Sequence, residues 1–295
     1  MRLLILTDVS TWAWQRKAEA LAAVLSGDYD ITIWPVVELG PPPAGFDLYH
    51  TFDFPNVGHL PAGARHVTGI TAHVWRTWGE EQVRVWAERA EGVHANSRLL
   101  VAEMEALFSG PDAPPIWYVP NGVDEAFFHR TRPRADREHL VVGHVGKPNP
   151  RKGAYLLREA CARADVEFRP VQRRWNTALS PEEIRDYYQD LHLLAVASDM
   201  DGTPNPALEA AACGVAVLSN RIGNMPEFVV DGVNGWLLVD RDIDAYVERL
   251  REAAADLDRV EAMGAAARMT IERSWTWRLQ AGYYDAMWSS TTGAR

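Results

Sequence analysis

Cysteine is scarce in this chain of 295 residues. The two present, Cys161 and Cys213, lie far apart, and no CxxC pair occurs. That excludes a disulfide framework and a cysteine-rich zinc site, and makes a reducing compartment, the cytoplasm, the expectation. Long apolar runs are missing as well. Nothing approaches the roughly 18 consecutive apolar residues of a membrane-spanning helix, and the opening run Leu3–Leu6 stops at Thr7-Asp8, too early for a secretory h-region. Positive charge is in deficit: 30 Lys and Arg stand against 40 Asp and Glu, a net charge of −10. This argues against broad nucleic-acid binding, which needs a basic face, and so does not encourage a DNA acceptor. No G-x-G-x-x-G follows the first apolar run, so a nicotinamide site lacks support. The string GHVGK (143–147) is not a P-loop either: Val141 occupies the position of the required first glycine and Pro148 that of Ser/Thr.

What is present is ordinary globular composition, 47% hydrophobic and 24% charged. At about 100–200 residues per domain the length suggests two. The pattern alternates strand and helix. Strands are expected at 3–6, 31–34, 47–50, 66–71 and 93–96 and from 116, with helices over 18–25, 80–90 and 97–108. The basic, aperiodic stretch FFHRTRPRADREH (127–139) reads as a linker. The pattern then restarts: strands at 140–145, 166–171, 191–196, 215–219 and 235–239, helices at 152–163 and 206–213, a helix capped by Ser180 with Pro181 in its first turn, and closing helices over 242–254, 257–273 and 276–288. Such alternation implies mostly parallel, doubly wound sheets, one in each half.

Ligands of doubly wound sheets bind beyond the carboxyl ends of the strands. Three stretches stand there. In SDMDGTPNPALEA (198–210), Asp199-Met-Asp201 spells a D-x-D that holds a divalent metal in some sugar-transferring enzymes. The same stretch sets Asp201 in a loop and Glu209 about one turn into a helix, where both carboxylates can face one ligand. Gly202, Thr203, Pro204 and Asn205 lead into that helix start, whose amides and dipole favour an anion. By spacing alone a solvated loop is the blander alternative. In GKPNPRKG (146–153), Gly146 allows a close turn and Lys147 and Lys152 supply two ammonium groups for a diphosphate; an ordinary surface turn would read the same way. In VTGITAHVWRTWGE (67–80), His73 follows a strand, with Trp75 and Trp78 three apart. With Trp12 and Trp14 in DVSTWAWQRK (8–17), these four of the twelve tryptophans are candidates for stacking on a sugar acceptor, or plain packing.

Taken together, GKPNPRKG, SDMDGTPNPALEA and ACGVAVLSNRIGNMPEFVVDGVNGWLLV (212–239), with IWYVPNGVDEAFF (116–128) and SWTWRLQAGYYDAMW (274–288), resemble family 4 (group 1) retaining glycosyltransferases of GT-B fold. The motifs matched are the G-R-x-x-x-x-K-G turn, the E-x7-E pair and G-x-x-x-E-x-x-x-x-G-x-x-G, and together they cover about half the chain. The resemblance implies two Rossmann-like domains facing across a cleft: an acceptor domain at 1–130, a donor domain at 139–275, and a last helix, 276–295, crossing back to the first domain. It implies a metal-independent, retaining transfer of a sugar from a nucleotide-diphosphate sugar to an acceptor hydroxyl, with no cofactor. Lys147 and Lys152 would hold the diphosphate, Glu209 the ribose, and Thr203 and Asn205 the sugar or phosphate. Asp201 and His73 would lie near the transferred sugar. The metal reading of D-x-D belongs to a different, single-domain architecture and falls away. Two departures stand out: Asp201 replaces Glu, and Lys147 replaces Arg, a point charge in place of a fork. The first half also lacks the family's glycine-rich loop after the first strand. A nucleotide-sugar epimerase of the same fold and a non-catalytic sugar-nucleotide binding protein remain open. Base, sugar, acceptor and oligomeric state have no sequence signal.

Overall fold

The computed structural model describes residues 1–11, 13–133, 138–172 and 179–292. The chain divides into two compact units, residues 1–122 together with the chain from Trp277 onward, and residues 123–276.

The first unit contains β1 (Arg2–Thr7), α1 (Ala13–Leu25), β2 (Asp30–Pro35), the short α2 (Val36–Leu39), β3 (Leu48–Thr51), β4 (His66–Ile70), α3 (Glu80–Ala87), β5 (Gly92–Ala95), α4 (Arg98–Leu107) and β6 (Ile116–Tyr118). Its six strands are parallel in the order β2-β1-β3-β4-β5-β6. Leu3, Leu4, Ile5 and Leu6 are fully buried on both faces of the sheet. A continuous apolar run is what a central parallel strand covered by helices requires. Ser97 caps α4, its hydroxyl accepting from the Leu100 amide. Two 3-10 turns, Phe54–His59 and His73–Thr77, follow β3 and β4. The sequence reading missed both, and it carried α3 three residues too far.

The second unit contains β7 (Val141–Gly146), α5 (Ala154–Ala164), β8 (Glu167–Gln172), α6 (Pro181–Gln189), β9 (Leu193–Val196), α7 (Asn205–Ala212), β10 (Ala216–Asn220), α8 (Met225–Phe228), β11 (Gly235–Leu238), α9 (Ile243–Ala255) and α10 (Leu257–Ser274). The parallel order is β11-β10-β9-β7-β8. Ser180 and Glu183 form a reciprocal capping box at α6. Ala207, Ala210, Ala211 and Ala212 are all fully buried, so α7 lies close against its neighbours.

The last helix, α11 (Trp277–Thr292), belongs to the first unit, where Tyr284, Met287 and Trp288 join the core formed by Leu3, Ile5, Ala18, Leu21 and Phe52. The linker expected at 127–139 is corrected in part. Phe128 is a core residue of the second unit, and the Arg268 guanidinium donates to the carbonyls of Glu125, Phe128 and Ala212. The boundary therefore falls at Gly122/Val123 rather than near 130. Residues 134–137 of that stretch lie outside the described residues.

Candidate functional site

Strand order reverses direction in the second unit between β7 and β9, and the crevice beyond the carboxyl ends of two such strands is where a doubly wound sheet takes its ligand. Gly146 ends β7. A side chain there would meet His144 Nε2 at 2.9 Å and Lys152 Cβ at 3.2 Å. Asn149 caps the following 3-10 turn, accepting from the Arg151 amide at 2.7 Å. Gly153 closes the turn at φ 71°, where a Cβ would lie 2.1 Å from the Ala197 carbonyl oxygen. Glycine alone lets the turn rest on the end of β9. This seating brings Lys152 Nζ to 2.5 Å from Asp201 Oδ2, with Asp201 only 9% exposed. Lys147, the second expected cation, is exposed on the same turn.

The two carboxylates of Asp199-Met-Asp201 part company. Asp199 pairs with Arg241 at 3.0 Å while Asp201 pairs with Lys152. Gly202, Thr203 and Pro204 are buried and continue to α7. The Gly202 carbonyl accepts from the Asn224 amide at 2.8 Å, and a Cβ on Gly223 (φ 52°) would lie 2.2 Å from that same oxygen. The G-N-M-P turn thus locks the 201–204 loop in place. One expectation needs correcting here. The amides of Asn205 and Ala207 are not open donors, because they bond the carbonyls of Thr203 and Pro204, both at 2.8 Å. Glu209, half-buried on α7, accepts from the fully buried Tyr188 hydroxyl at 2.7 Å.

His144 escaped the sequence reading, although it stands two residues before Gly146. Its Nδ1 lies 3.1 Å from the Ala195 carbonyl, which can only accept, so Nδ1 carries the proton and Nε2 is a bare acceptor under the turn. Burial pushes the imidazole below its ordinary range, the Ala195 bond works against this, and the charge of Lys152 adds to the lowering.

In the first unit, His73 opens the turn after β4, 6% exposed, with Nδ1 2.9 Å from Glu103 Oε1. The same carboxylate accepts from Trp75 Nε1 and from Arg76, each at 2.7 Å. Trp75 is 9% exposed and packs with Ile70, Val83 and Leu100, so its ring faces are taken by the core rather than offered to an acceptor. Trp78 meets Trp86 edge to face at 5.6 Å, and Trp14 tilts on Phe52 at 6.2 Å, both partly buried. Trp12 lies outside the described residues. At this unit's own switch point, between β1 and β3, Asp53 follows β3. Burial raises its carboxyl to about 7 against a backbone bond from Asn56, with the nearby Asp8 charge adding to the rise.

Among the described residues no helix is long and apolar enough to cross a membrane, and no three His, Cys, Asp or Glu are grouped to hold a metal. Residues 170–270 match the family model for glycosyl transferases group 1. A GDP-mannose-dependent phosphatidylinositol monomannoside mannosyltransferase of Mycolicibacterium smegmatis is 36% identical over 97 residues, 33% of this chain and 25% of that protein. A D-inositol 3-phosphate glycosyltransferase of Gordonia bronchialis is 28% identical over 261 residues, 74% of this chain and 55% of its own length. The chain thus spans a quarter to about half of these relatives. The crystal structure of Anabaena HepE in complex with UDP and glucose superposes with a TM-score of 0.76 at 15% identity, covering 98% of this chain and 100% of that one. The fold is that of the GT-B glycosyltransferases, and the second unit carries the group 1 signature.

Proposed function

We propose, with the group 1 match of the second unit as premise, that this chain is a retaining, metal-independent glycosyltransferase that moves a sugar from a nucleotide-diphosphate sugar to an acceptor hydroxyl. The observation that carries the reading is the Lys152–Asp201 pair, held at the switch point of the second sheet by Gly146, Gly153 and the Gly223 turn. Asp201 balances the ammonium while no donor is present. A bound diphosphate takes over that role and shares Lys152, with Lys147 as the second cation. The C–O bond between sugar and β-phosphate then breaks, and the two lysines meet the negative charge developing on the leaving diphosphate. Stabilising that charge is the greatest rate advantage such a site can supply. The acceptor oxygen forms the new bond on the face the diphosphate leaves, and its hydroxyl proton passes to a departing phosphate oxygen, which keeps the anomeric configuration. Asp201, freed from the ammonium, accepts from a sugar hydroxyl. Glu209, oriented by Tyr188, accepts from the ribose. In the first unit, His73 remains the candidate that the family resemblance assigns to the sugar, and the partly buried Trp14 and Trp78 remain the candidates for the acceptor. Two free, buried thiols fit a reducing cytoplasm.

The test is turnover of UDP- and GDP-sugars by protein stripped with EDTA. Release of the nucleoside diphosphate, reduced at least a hundredfold in Lys152→Met and Asp201→Asn, is the expected result. Activity that vanishes with EDTA and returns with manganese overturns the metal-free claim. Tight binding of UDP or GDP without turnover across the panel makes the chain a binding protein instead. Incorporation of solvent deuterium into the sugar with no acceptor present identifies an epimerase.

A further inference from the structure

His144 is a buried imidazole, 4% exposed, at the end of β7. Its Nδ1–H is spent on the Ala195 carbonyl of β9 at 3.1 Å, while Nε2, equally buried, has no hydrogen-bond partner. A buried acceptor without a donor is costly. This one points at the turn that bears Lys147 and Lys152. The point where a Cβ on Gly146 would stand lies 2.9 Å from Nε2 and 3.2 Å from Lys152 Cβ, so the glycine leaves the ring edge and the base of Lys152 side by side. The other elements against the ring contribute dipoles rather than charges. β8 sets Pro170 opposite His144. From α6 the Tyr187 hydroxyl accepts from the His144 amide at 3.0 Å, and burial pushes that phenol up, so it stays neutral. The charge that faces the ring is Lys152, with Asp201 beyond it at 2.5 Å. Burial, and then the Lys152 charge, outweigh the Ala195 bond and hold the imidazole below its ordinary range, so it is neutral at pH 7.

A nucleotide-diphosphate sugar reverses that balance. Its doubly esterified diphosphate carries two negative charges, which pass the turn of Lys147, Lys152 and Asp201 from net positive to net negative. A nearby negative charge favours the protonated imidazole. α5 starts from the same turn with no side-chain cap, and the positive end of its dipole adds to the pull on the anion. We propose that His144 is a third, latent cation of the donor site: binding of the diphosphate draws a proton from solvent onto Nε2, and the imidazolium, held by its Nδ1–H bond to Ala195, supports the charge of the leaving group from beneath the turn. The proton returns to solvent when the nucleoside diphosphate leaves. The proposal rests on the glycosyltransferase reading for the ligand, and on the second unit's geometry alone for the proton site.

The experiment counts protons on the full chain. Calorimetric titration with UDP-glucose and with GDP-mannose, each in two buffers of different ionisation enthalpy, measures the protons exchanged on binding. Both ligands are diphosphate diesters with no phosphate proton to exchange between pH 6 and pH 8, whereas the terminal phosphate of UDP titrates at about 6. The wild type should take up a fraction of a proton that grows as the pH falls from 8 to 6, and its affinity should rise about threefold or more over that range. His144→Asn, whose amide can keep the bond to Ala195, should bind without proton exchange and with an affinity indifferent to pH. His144→Phe, which keeps the volume of the ring, should behave the same way, and either variant suffices should the other fail to fold. No uptake by the wild type overturns the proposal, and so does an uptake that survives the loss of His144. If neither nucleotide sugar binds, the transferase reading falls, and the ring's own titration decides the rest. In 15N-labelled protein, Lys152→Met should let His144 take its proton at a higher pH than in the wild type. A titration that does not move removes His144 from the influence of the turn and overturns the proton site.

Discussion

Lys17 sits in the second turn of α1, 4% exposed, its Nζ 4.5 Å from the ring centre of Phe52 and 5.2 Å from that of Tyr284, with no hydrogen-bond partner among the described residues. Aromatic faces attract a cation but do not replace its water, and burial lowers the amine to about 7. Beside it His50 accepts from Trp288 Nε1, and His94 donates to the Thr51 carbonyl, both at 2.9 Å, so each ring is held in one neutral tautomer. The consequence is a pH dependence with a definite sign. Between the folded value near 7 and the unfolded value near 10.5, the unfolded chain holds a proton that the folded chain has released, so stability rises with pH. The buried histidines, whose values burial lowers, release their protons at lower pH; the Asp53 carboxyl, raised to about 7, and the buried thiols, raised to about 12 from their ordinary value of 9, oppose the trend at the two ends of this range by less than Lys17 contributes. Urea unfolding at pH 7 and pH 9 should therefore differ by on the order of 2 kcal/mol in favour of pH 9. Lys17→Met should remove that difference and be the more stable protein at pH 7. A slope unchanged in the variant would show the amine to be charged and satisfied. None of this was legible in WAWQRKAEALAAVL, where a lysine between Arg16 and Glu19 reads as solvated. The residues that bury it, Phe52 and Tyr284, arrive from β3's end and from α11. Glu209 stood out as a candidate because its spacing from Asp201 is local. Its partner Tyr188 and the Glu103 carboxylate did not, because each reaches its contact from another element.

At the scale of elements, the alternation of apolar runs and amphipathic helices was legible almost throughout, since period and capping are local properties. Ser180, followed by Pro181, announced the start of α6. The turn after β4 was not legible, because two tryptophans three apart fit a helix and a 3-10 turn equally well. Only the burial of Trp75 against α3 and α4 residues distinguishes them. The glycines at the candidate site show how an element's end can matter more than its middle. Gly153 combines a left-handed φ of 71° with a neighbouring carbonyl that a Cβ would meet at 2.1 Å. A backbone atom of β9's end cannot swing aside as a flexible side chain would. Gly153→Ala should therefore move the turn bearing Lys147 and Lys152 off the end of β9. We expect donor turnover to fall at least tenfold, well beyond what a loss of about 1–3 kcal/mol in stability explains at a temperature where the variant stays folded. Ser180→Ala is the counterpart: it removes a helix cap worth about 1 kcal/mol and should lower Tm while leaving KM for the donor unchanged. Equal losses of turnover in the two variants would mean that the Gly153 turn contributes stability only.

At the scale of the molecule, the boundary between the units was the part least legible, for a physical reason. FFHRTRPRADREH looks like a linker because its charges have no local period, yet Phe128 and the carbonyls of Glu125 and Phe128 are claimed by the second unit through Arg268, 140 residues from Phe128 in sequence. The return of α11 has the opposite effect, since it makes the first unit depend on the end of the chain. Trp288 is fully buried there, stacked edge to face on Tyr29 at 5.3 Å, and its indole N–H is spent on His50. Truncating a buried Trp costs about 3–5 kcal/mol, and here it also strips the acceptor nitrogen of a buried imidazole of its donor. Among the described residues, none from α11 is in the second unit's core. Calorimetry of Trp288→Ala should accordingly lower one unfolding transition and leave the other in place. Adding UDP or GDP should raise only the transition that Trp288→Ala leaves unmoved, because a ligand stabilises the unit that binds it. The two perturbations thus assign the two transitions independently, one from the core of the first unit and one from the switch point of the second. A nucleotide that raised the transition lowered by Trp288→Ala would place the donor site in the first unit and remove Lys152, Asp201 and Glu209 from the chemistry. A single transition shifted by both would show that the units unfold together, with α11 supporting the whole chain.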